Sequence, residues 1–266
     1  MAAVLSAAGC VAADEEAEEL VSRCPDRPTL EAWVRRRTGG EPLAWIVGSL
    51  RFLGADLRVD PGVYVPRAQT EELAVRAAGL LPGGGRAADL CTGSGAVAAH
   101  LARTVAGAAV VGTDVDPVAA GCARRNGVPV VVGDLGSGLR SGSFDLVTAV
   151  APYVPTAELP YLPADVLRYE PRRALDGGPD GLAVLRRAVA AAARLLRPGG
   201  WLVAELGGDQ DAAVAPALAT AGFGEAEFWY DEDGDLRGGA ARLHRGPSAG
   251  ARFPDSGSLD GRGPGT

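Results

Sequence analysis

Three short apolar runs in the middle of this chain each lead into an aspartate, and helix-like segments lie between them. Arg86-Ala87-Ala88-Asp89-Leu90 enters the turn Cys91-Thr92-Gly93-Ser94-Gly95. Ala109–Thr113 stops at Asp114-Val115, and Val128–Val132 stops at Gly133-Asp134-Leu135. Apolar runs this short, closed by Gly and Asp, are strand signals, and Ala96–Val105 and Pro117–Asn126 carry helical spacing. Parallel strands need a crossover to return to the same edge, so strands alternating with helices dictate a parallel sheet covered on both faces. The same alternation extends through a helix at Thr70–Leu81, a strand at Phe144–Val150, a helix at Gly181–Leu196, a strand at Trp201–Glu205 and a helix at Ala212–Ala221. Glu225–Tyr230 and Arg237–His244 read as an antiparallel pair around Asp233-Gly234. The expectation is an α/β fold with a doubly wound, seven-stranded, mostly parallel sheet.

Ahead of the sheet, residues 1–40 read as a small helical unit. Asp14–Val21 is one helix, and Leu30–Arg37, capped by Thr29, is a second with Leu30, Trp33 and Val34 on one face. Residues 41–66 read as a β-hairpin in which Trp45–Gly48 pairs with Arg51–Val59, with turn signals at Gly48 and Asp60-Pro61-Gly62. The main domain then covers 67–245. Residues 246–266 are rich in Gly, Ser and Pro with few apolar side chains, the composition of a disordered tail.

At 266 residues and 47% hydrophobic, the chain can bury a sizeable core. A net charge of −7 argues against general binding to nucleic acid or an anionic membrane surface. No apolar stretch approaches the ~18–20 residues of a membrane span, and Met1–Ser6 lacks a basic leader region, so the cytoplasm is the expected location. Cys10, Cys24, Cys91 and Cys122 have no CxxC spacing, and no metal site is expected. All 26 basic residues are arginine, which excludes lysine-based mechanisms.

The three strand ends carry the chemistry. Small residues from Asp89 to Gly95 let backbone approach a ligand where a strand becomes a helix, although such turns also serve nicotinamide and flavin enzymes or simply pack tightly. Asp114, about twenty residues beyond the glycines, can accept from ribose hydroxyls; the plain alternative is a helix cap, a role that Asp116 before Pro117 fills better. Asp134 can accept from an adenine amino group, or stand solvated in a loop. Together the three favour S-adenosylmethionine over a dinucleotide, because D-x-C-T-G-S-G leaves no G-x-G-x-x-G for a pyrophosphate.

A longer series of motifs runs from Glu41 to about Leu243: Glu41–Gly48, Val65-Pro66-Arg67 with Thr70-Glu71, Asp89–Gly95, Asp114, Asp134, Pro152-Tyr153, Glu170–Gly178 with Asp180-Gly181-Leu182, and Glu205 with Gln210. In these the chain resembles the protein-(glutamine-N5) methyltransferases, class I Rossmann-like enzymes that use S-adenosylmethionine on the GGQ glutamine of peptide-chain release factors. The likeness is closest to a divergent, actinobacterial-type branch. The resemblance implies that Asp114 binds the ribose, Asp134 the adenine end and the turn around Gly93 the methionine portion, with Asp89, Cys91, Thr92, Gly95, Val115, Gly133 and Leu135 also among the cofactor-binding residues. Arg67 and Thr70 would help close the cofactor site, and Val150, Pro152 and Tyr153 would form the transfer site, with Val150 also facing the cofactor.

The departures from the family pattern concern the acceptor. The slot Val150-Ala151-Pro152-Tyr153 reads Asn-Pro-Pro-Tyr or Asn-Ala-Pro-Tyr in the family, where the Asn holds the amide to be methylated. An amide nitrogen is a poor nucleophile, its lone pair being delocalised, so positioning is most of what a protein can supply. Val150 offers no hydrogen bond, and an unpaired buried amide N–H costs about 1–3 kcal/mol. Tyr169 stands where the family has His, and the N-terminal unit that helps dock release factors is short. These features predict a changed acceptor: a small molecule or a more nucleophilic nitrogen in place of a protein glutamine. Methylation of oxygen, sulfur or carbon on a specialised metabolite, or cofactor binding without transfer, are the alternatives. His100 reads as structural. Glu205, at a strand end near the cleft mouth, fits a cap or salt-bridge role equally well.

Overall fold

The computed structural model describes residues 1–244; the segment 246–266 expected to be disordered lies outside the described residues. Three helices open the chain: α1 (Ala2–Ala7), α2 (Ala13–Arg23) and α3 (Arg27–Thr38). Leu5 and Leu20 are buried among Ile46, Leu30, Trp33 and Val34, giving this part its own small core. The cap of α3 is Asp26, not Thr29: the Asp26 carboxylate accepts from the Thr29 amide at 2.8 Å, with Pro28 in the first turn, where a missing N–H costs nothing.

The hairpin differs from expectation in the same way. Trp45 lies in a short helix, α4 (Leu43–Val47), ended by Gly48 at φ +81°. Ala44, Trp45 and Ile46 are all buried, and a run covered on every side carries no periodicity to separate helix from strand. The hairpin is β1 (Ser49–Phe52) with β2 (Ala55–Arg58), turned at Leu53-Gly54, both at positive φ as a tight two-residue turn requires.

From there the elements are α5 (Gln69–Leu80), β3 (Arg86–Leu90), α6 (Ala96–Thr104), β4 (Ala109–Asp114), α7 (Pro117–Arg125), β5 (Val130–Val132), β6 (Phe144–Ala149), α8 (Ala164–Tyr169), α9 (Ala183–Leu195), β7 (Leu196–Glu205), α10 (Gln210–Thr220), β8 (Glu227–Tyr230) and β9 (Leu236–Arg242). The sheet order is β5-β4-β3-β6-β7-β9-β8, parallel except for β9, which runs antiparallel to both β7 and β8. Every residue of β6 is buried, as befits a central parallel strand covered on both faces. One core joins α5, α6 and α7 to the sheet through Leu73, Ala77, Leu101, Cys122 and Leu146. The other joins α9 and α10 to it through Leu185, Val189, Val147, Leu202 and Val214. Asp116 caps α7, accepting from the Val118 amide at 2.9 Å as expected. Among the described residues no helix is long and apolar enough to cross a membrane.

Strand order reverses direction at β3, which lies between β4 and β6. That reversal opens a crevice at the carboxyl ends of the strands, where open α/β sheets bind ligands. Gly112 on β4 shapes its floor: a Cβ there would sit 2.7 Å from the Thr92 hydroxyl and 2.9 Å from its methyl. The turn after β3 packs on β4 only because that position is bare. Gly112→Ala is expected to destabilise the protein by about 1–3 kcal/mol, the usual cost of overpacking. Chemical denaturation of the purified variant measures it, and Thr92 should be displaced in its crystal structure.

Candidate active site

The cleft at the ends of β3, β4 and β6 is lined by Cys91, Thr92 and Gly93 of the first turn, Asp114 and Val115 after β4, Gly133, Asp134 and Leu135 after β5, and Val150, Pro152 and Tyr153 after β6. Thr70 from α5 and Asp89 from β3 complete this set. Arg67 and Gly95 sit just outside the wall. Arg67 donates to Glu170 at 2.6 Å and lies over the Tyr64 ring, while Gly95, at φ +83°, caps α6 and packs against Ala123 and Val128.

The turn is built on Asp89. This carboxylate is 2% exposed and accepts from Thr92 Oγ1 at 2.6 Å and Thr148 Oγ1 at 2.7 Å. Burial pushes its pKa up to about 6, with the two threonine hydrogen bonds opposing the shift. Above it, Cys91 and Gly93 take positive φ, and a Cβ built on Gly93 meets nothing within 4 Å, so the backbone there is open to the cleft. Burial drives the Cys91 thiol well above its ordinary value, so it is no thiolate nucleophile.

Asp114 accepts from the Gly93 amide and from the Asp116 amide, each at 2.9 Å. An ionised carboxylate has about four lone-pair sites, so the group is fixed in place with capacity to spare. Burial raises its pKa as well. Asp134 is half exposed and ion-paired with Arg187, and Asp116 is paired with Arg173 at 3.6 Å. Both arginines line the cleft. Two polar groups of the wall, Ser94 Oγ and Thr113 Oγ1, are buried without a hydrogen-bond partner among the described residues. Fixed acids at one end, bare backbone at the turn and unspent hydrogen-bonding groups fit a nucleoside joined to an amino acid, which is the make-up of S-adenosylmethionine.

At the other end, Val150 is half-buried and packs against the apolar core below the cleft. Tyr153 is held from three sides. Its hydroxyl accepts from Gln69 Nε2 at 2.9 Å, its carbonyl accepts from Gln210 Nε2 at 3.0 Å, and its ring edge lies against Gly207. Burial, followed by the nearby Glu205 carboxylate, raises its pKa to about 12, so it stays protonated. Behind Tyr153 lies a second cavity, lined by Glu158, Tyr161, Asp180, Asp209 and Gln210 among others, with Tyr153 common to both.

Sequence reasoning did not single out Tyr64, Gln69, Arg173 or Arg187. Gln69, Arg173 and Arg187 are set into place by an acid or a ring distant in the chain, and Tyr64 by Arg67 three residues on; Arg173 lies within the Glu170–Gly178 motif but no role is read for it there. Glu205, left between roles, is 1% exposed and accepts from Thr70 Oγ1 at 2.7 Å and Gln69 Nε2 at 3.2 Å. His100 is buried on α6 beside Arg103 and away from the cleft.

The raised pKa of Asp89 makes stability depend on pH. Its folded value, about 6, exceeds the unfolded carboxylate value of ~3.9, so the folded state binds a proton more tightly. This contribution is fully present below about pH 4 and is lost as pH rises through about 6, amounting to roughly 2–3 kcal/mol. Asp89→Asn removes it. Denaturation curves at several pH values between 4 and 7 should show the stability gap between variant and wild type moving in the variant's favour as pH rises. A constant gap would place the titration elsewhere.

Residues 87–169 match the family model described as a methyltransferase domain. The release factor glutamine methyltransferase of Geobacter sulfurreducens is 40% identical, over 76% of this chain and 73% of that protein. The corresponding protein of Rhodospirillum rubrum is 35% identical over 93% of this chain and 79% of its own length. The 4-amino-L-phenylalanine/4-methylamino-L-phenylalanine methyltransferase of Streptomyces pristinaespiralis is 39% identical, over 73% of this chain and 70% of that protein. Among solved structures, a methyltransferase from Pyrococcus furiosus shares the fold with a TM-score of 0.53 at 20% identity, covering 73% of this chain and 91% of its own. Identity at this level over most of both chains, on a seven-stranded sheet with the turn and strand-end acids in order, places the chain in the release factor glutamine methyltransferase family, as an S-adenosylmethionine-dependent methyltransferase.

Proposed function

We propose that this methyltransferase acts on the nitrogen of a small-molecule amine rather than on a release-factor glutamine. The observation that carries the reading is Val150. It directly follows the central strand β6, lines the cleft, and presents only methyl groups. An amide acceptor would bury its N–H there unpaired, whereas an amine keeps a localised lone pair and needs aiming more than activation. The relative from Streptomyces pristinaespiralis, named for 4-amino-L-phenylalanine, supports a small amine as an acceptor on this scaffold.

In this reading Asp114 takes the ribose hydroxyls, Asp134 and Arg187 frame the adenine, and the bare backbone at Gly93 lies along the amino-acid portion. Thr70 closes the cleft over them. Arg67 stands one step back, held on Glu170, and Gly95 sets the start of α6. S-adenosylmethionine, when bound, supplies an electrophilic methyl group on a sulfonium. Pro152 and Tyr153 shape the wall against which the acceptor nitrogen is aimed, and the cavity behind Tyr153 gives the acceptor its approach. The proton displaced from nitrogen passes to solvent, so no dedicated base is needed.

The test supplies the protein with methyl-labelled S-adenosylmethionine and two kinds of acceptor: a GGQ-bearing release factor, and a panel of small amines that includes 4-amino-L-phenylalanine. Label should enter a small amine, with release factor labelled more slowly by at least about tenfold. Faster labelling of the release factor would sink the reading. Val150→Asn should raise release-factor labelling by about one to two decades, the kinetic value of one buried amide hydrogen bond.

A further inference from the structure

The wall behind the transfer site holds a buried carboxylate that has no ion-pair partner among the described residues and whose pKa burial raises. Glu205, at the end of β7, is 1% exposed. The groups that hold it are neutral: the Thr70 hydroxyl at 2.7 Å and the Gln69 amide at 3.2 Å, with the Tyr153 hydroxyl adjacent. Thr70 and Tyr153 are themselves cleft wall, so the carboxylate is one side chain away from any ligand. The first turn of α5 faces it and offers partial positive charge, about half of what is needed at best. The nearest full cation, Arg67, is committed to Glu170 at 2.6 Å and to the Tyr64 ring. The two arginines of the cleft wall are likewise paired, Arg173 with Asp116 and Arg187 with Asp134. Each of these three arginines thus has its own acid, and among the described residues Glu205 is left with Arg67 only as a more distant charge.

A buried carboxylate so placed is costly until a cation arrives. S-adenosylmethionine brings one, at the sulfonium. The product, S-adenosylhomocysteine, has the same shape less a methyl group and is neutral at sulfur. We propose that Glu205 is a charge-selecting residue: acting through Thr70, Gln69 and Tyr153, it makes the cleft hold the cationic cofactor in preference to its neutral product and so favours product release. Glu205 does not touch the ligand, so its effect is a field across one layer of side chains. The inference rests on the cofactor and on no acceptor, so a failed acceptor screen leaves it standing.

Calorimetric titration of the full chain with S-adenosylmethionine, S-adenosylhomocysteine and sinefungin, an analogue with an ammonium-bearing carbon in place of the sulfonium, tests it. Wild type should bind both cationic ligands at least about tenfold more tightly than S-adenosylhomocysteine, the size expected of one charge felt across a side chain. Glu205→Gln, which keeps the volume, should bring the three ligands within about threefold of one another, with S-adenosylhomocysteine affinity little changed. A merely structural role would weaken all three alike. A wild type that holds the neutral product as tightly as the cations overturns the proposal, as does a folded Glu205→Gln that keeps the tenfold preference. Should the variant not fold, the wild-type order decides alone. A protein that binds none of the three removes the cofactor assignment and this proposal together.

Discussion

The buried carboxylate of Asp89 is the point from which the ligand-binding half of the molecule is hung. It ties Thr92 in the turn to Thr148 on the neighbouring strand β6, while the Thr92 amide donates to the Thr113 carbonyl of β4 at 3.0 Å. Three adjacent strands are therefore locked beneath one turn. The turn in turn offers the Gly93 amide to Asp114, which fixes the acid at the end of β4. Removing the charge from water is costly, as the raised pKa records, and two short hydroxyl hydrogen bonds offset only part of that cost. The return is geometric: a rigid floor with bare backbone uppermost.

The Tyr153 side of the cleft is held by a different device, close approach of three chain segments that are far apart in sequence. Gly177 brings its backbone against the Pro152 carbonyl, where a Cβ would sit 2.7 Å from the oxygen. Gly181 leaves no room for a side chain between the Tyr153 carbonyl and the Gln210 amide, and Gly207 takes the edge of the Tyr153 ring at 3.2 Å from its own Cβ position. Gln210 then bonds the Tyr153 carbonyl. Tyr153 is fixed through its main chain by one glutamine and through its hydroxyl by another, so its position follows from α5, β7 and α10 at once.

This contrast explains what could be read from the sequence. The parallel sheet, its strand ends and the acids at Asp89, Asp114 and Asp134 follow from short apolar runs closed by turn residues, a local pattern. The strand β3 falls at Arg86–Leu90, as the pattern places it. The stretch around Trp45 failed because full burial erases periodicity, and the cap of α3 failed because Asp26 precedes a proline that belongs inside the helix. In the site, Thr70 and Tyr153 were marked by motifs, but Gln69 and Glu205 meet only through the fold, 136 positions apart. Arg173 lies in the Glu170–Gly178 motif without a role attached, and Arg187 could have been suspected only as a charge near an expected acid, a signal too common in an arginine-rich chain to single it out.

In the proposed reading, Val150 and Glu205 would bear on the two halves of the transfer through separate physics. A hydrogen bond to the acceptor discriminates by shape and direction, and Val150, which has none to give, would disfavour whatever needs a held N–H. A buried charge discriminates by sign alone and is indifferent to the acceptor's outline. With a neutral amine or a neutral amide alike, the positive charge would start on the sulfonium and pass to the acceptor nitrogen before proton loss, so a negative wall acts on the cofactor's charge and does not tell the two acceptors apart. In the proposed reading the valine just after β6 and the glutamate at the end of β7 therefore act separately, one on the acceptor and the other on the cofactor.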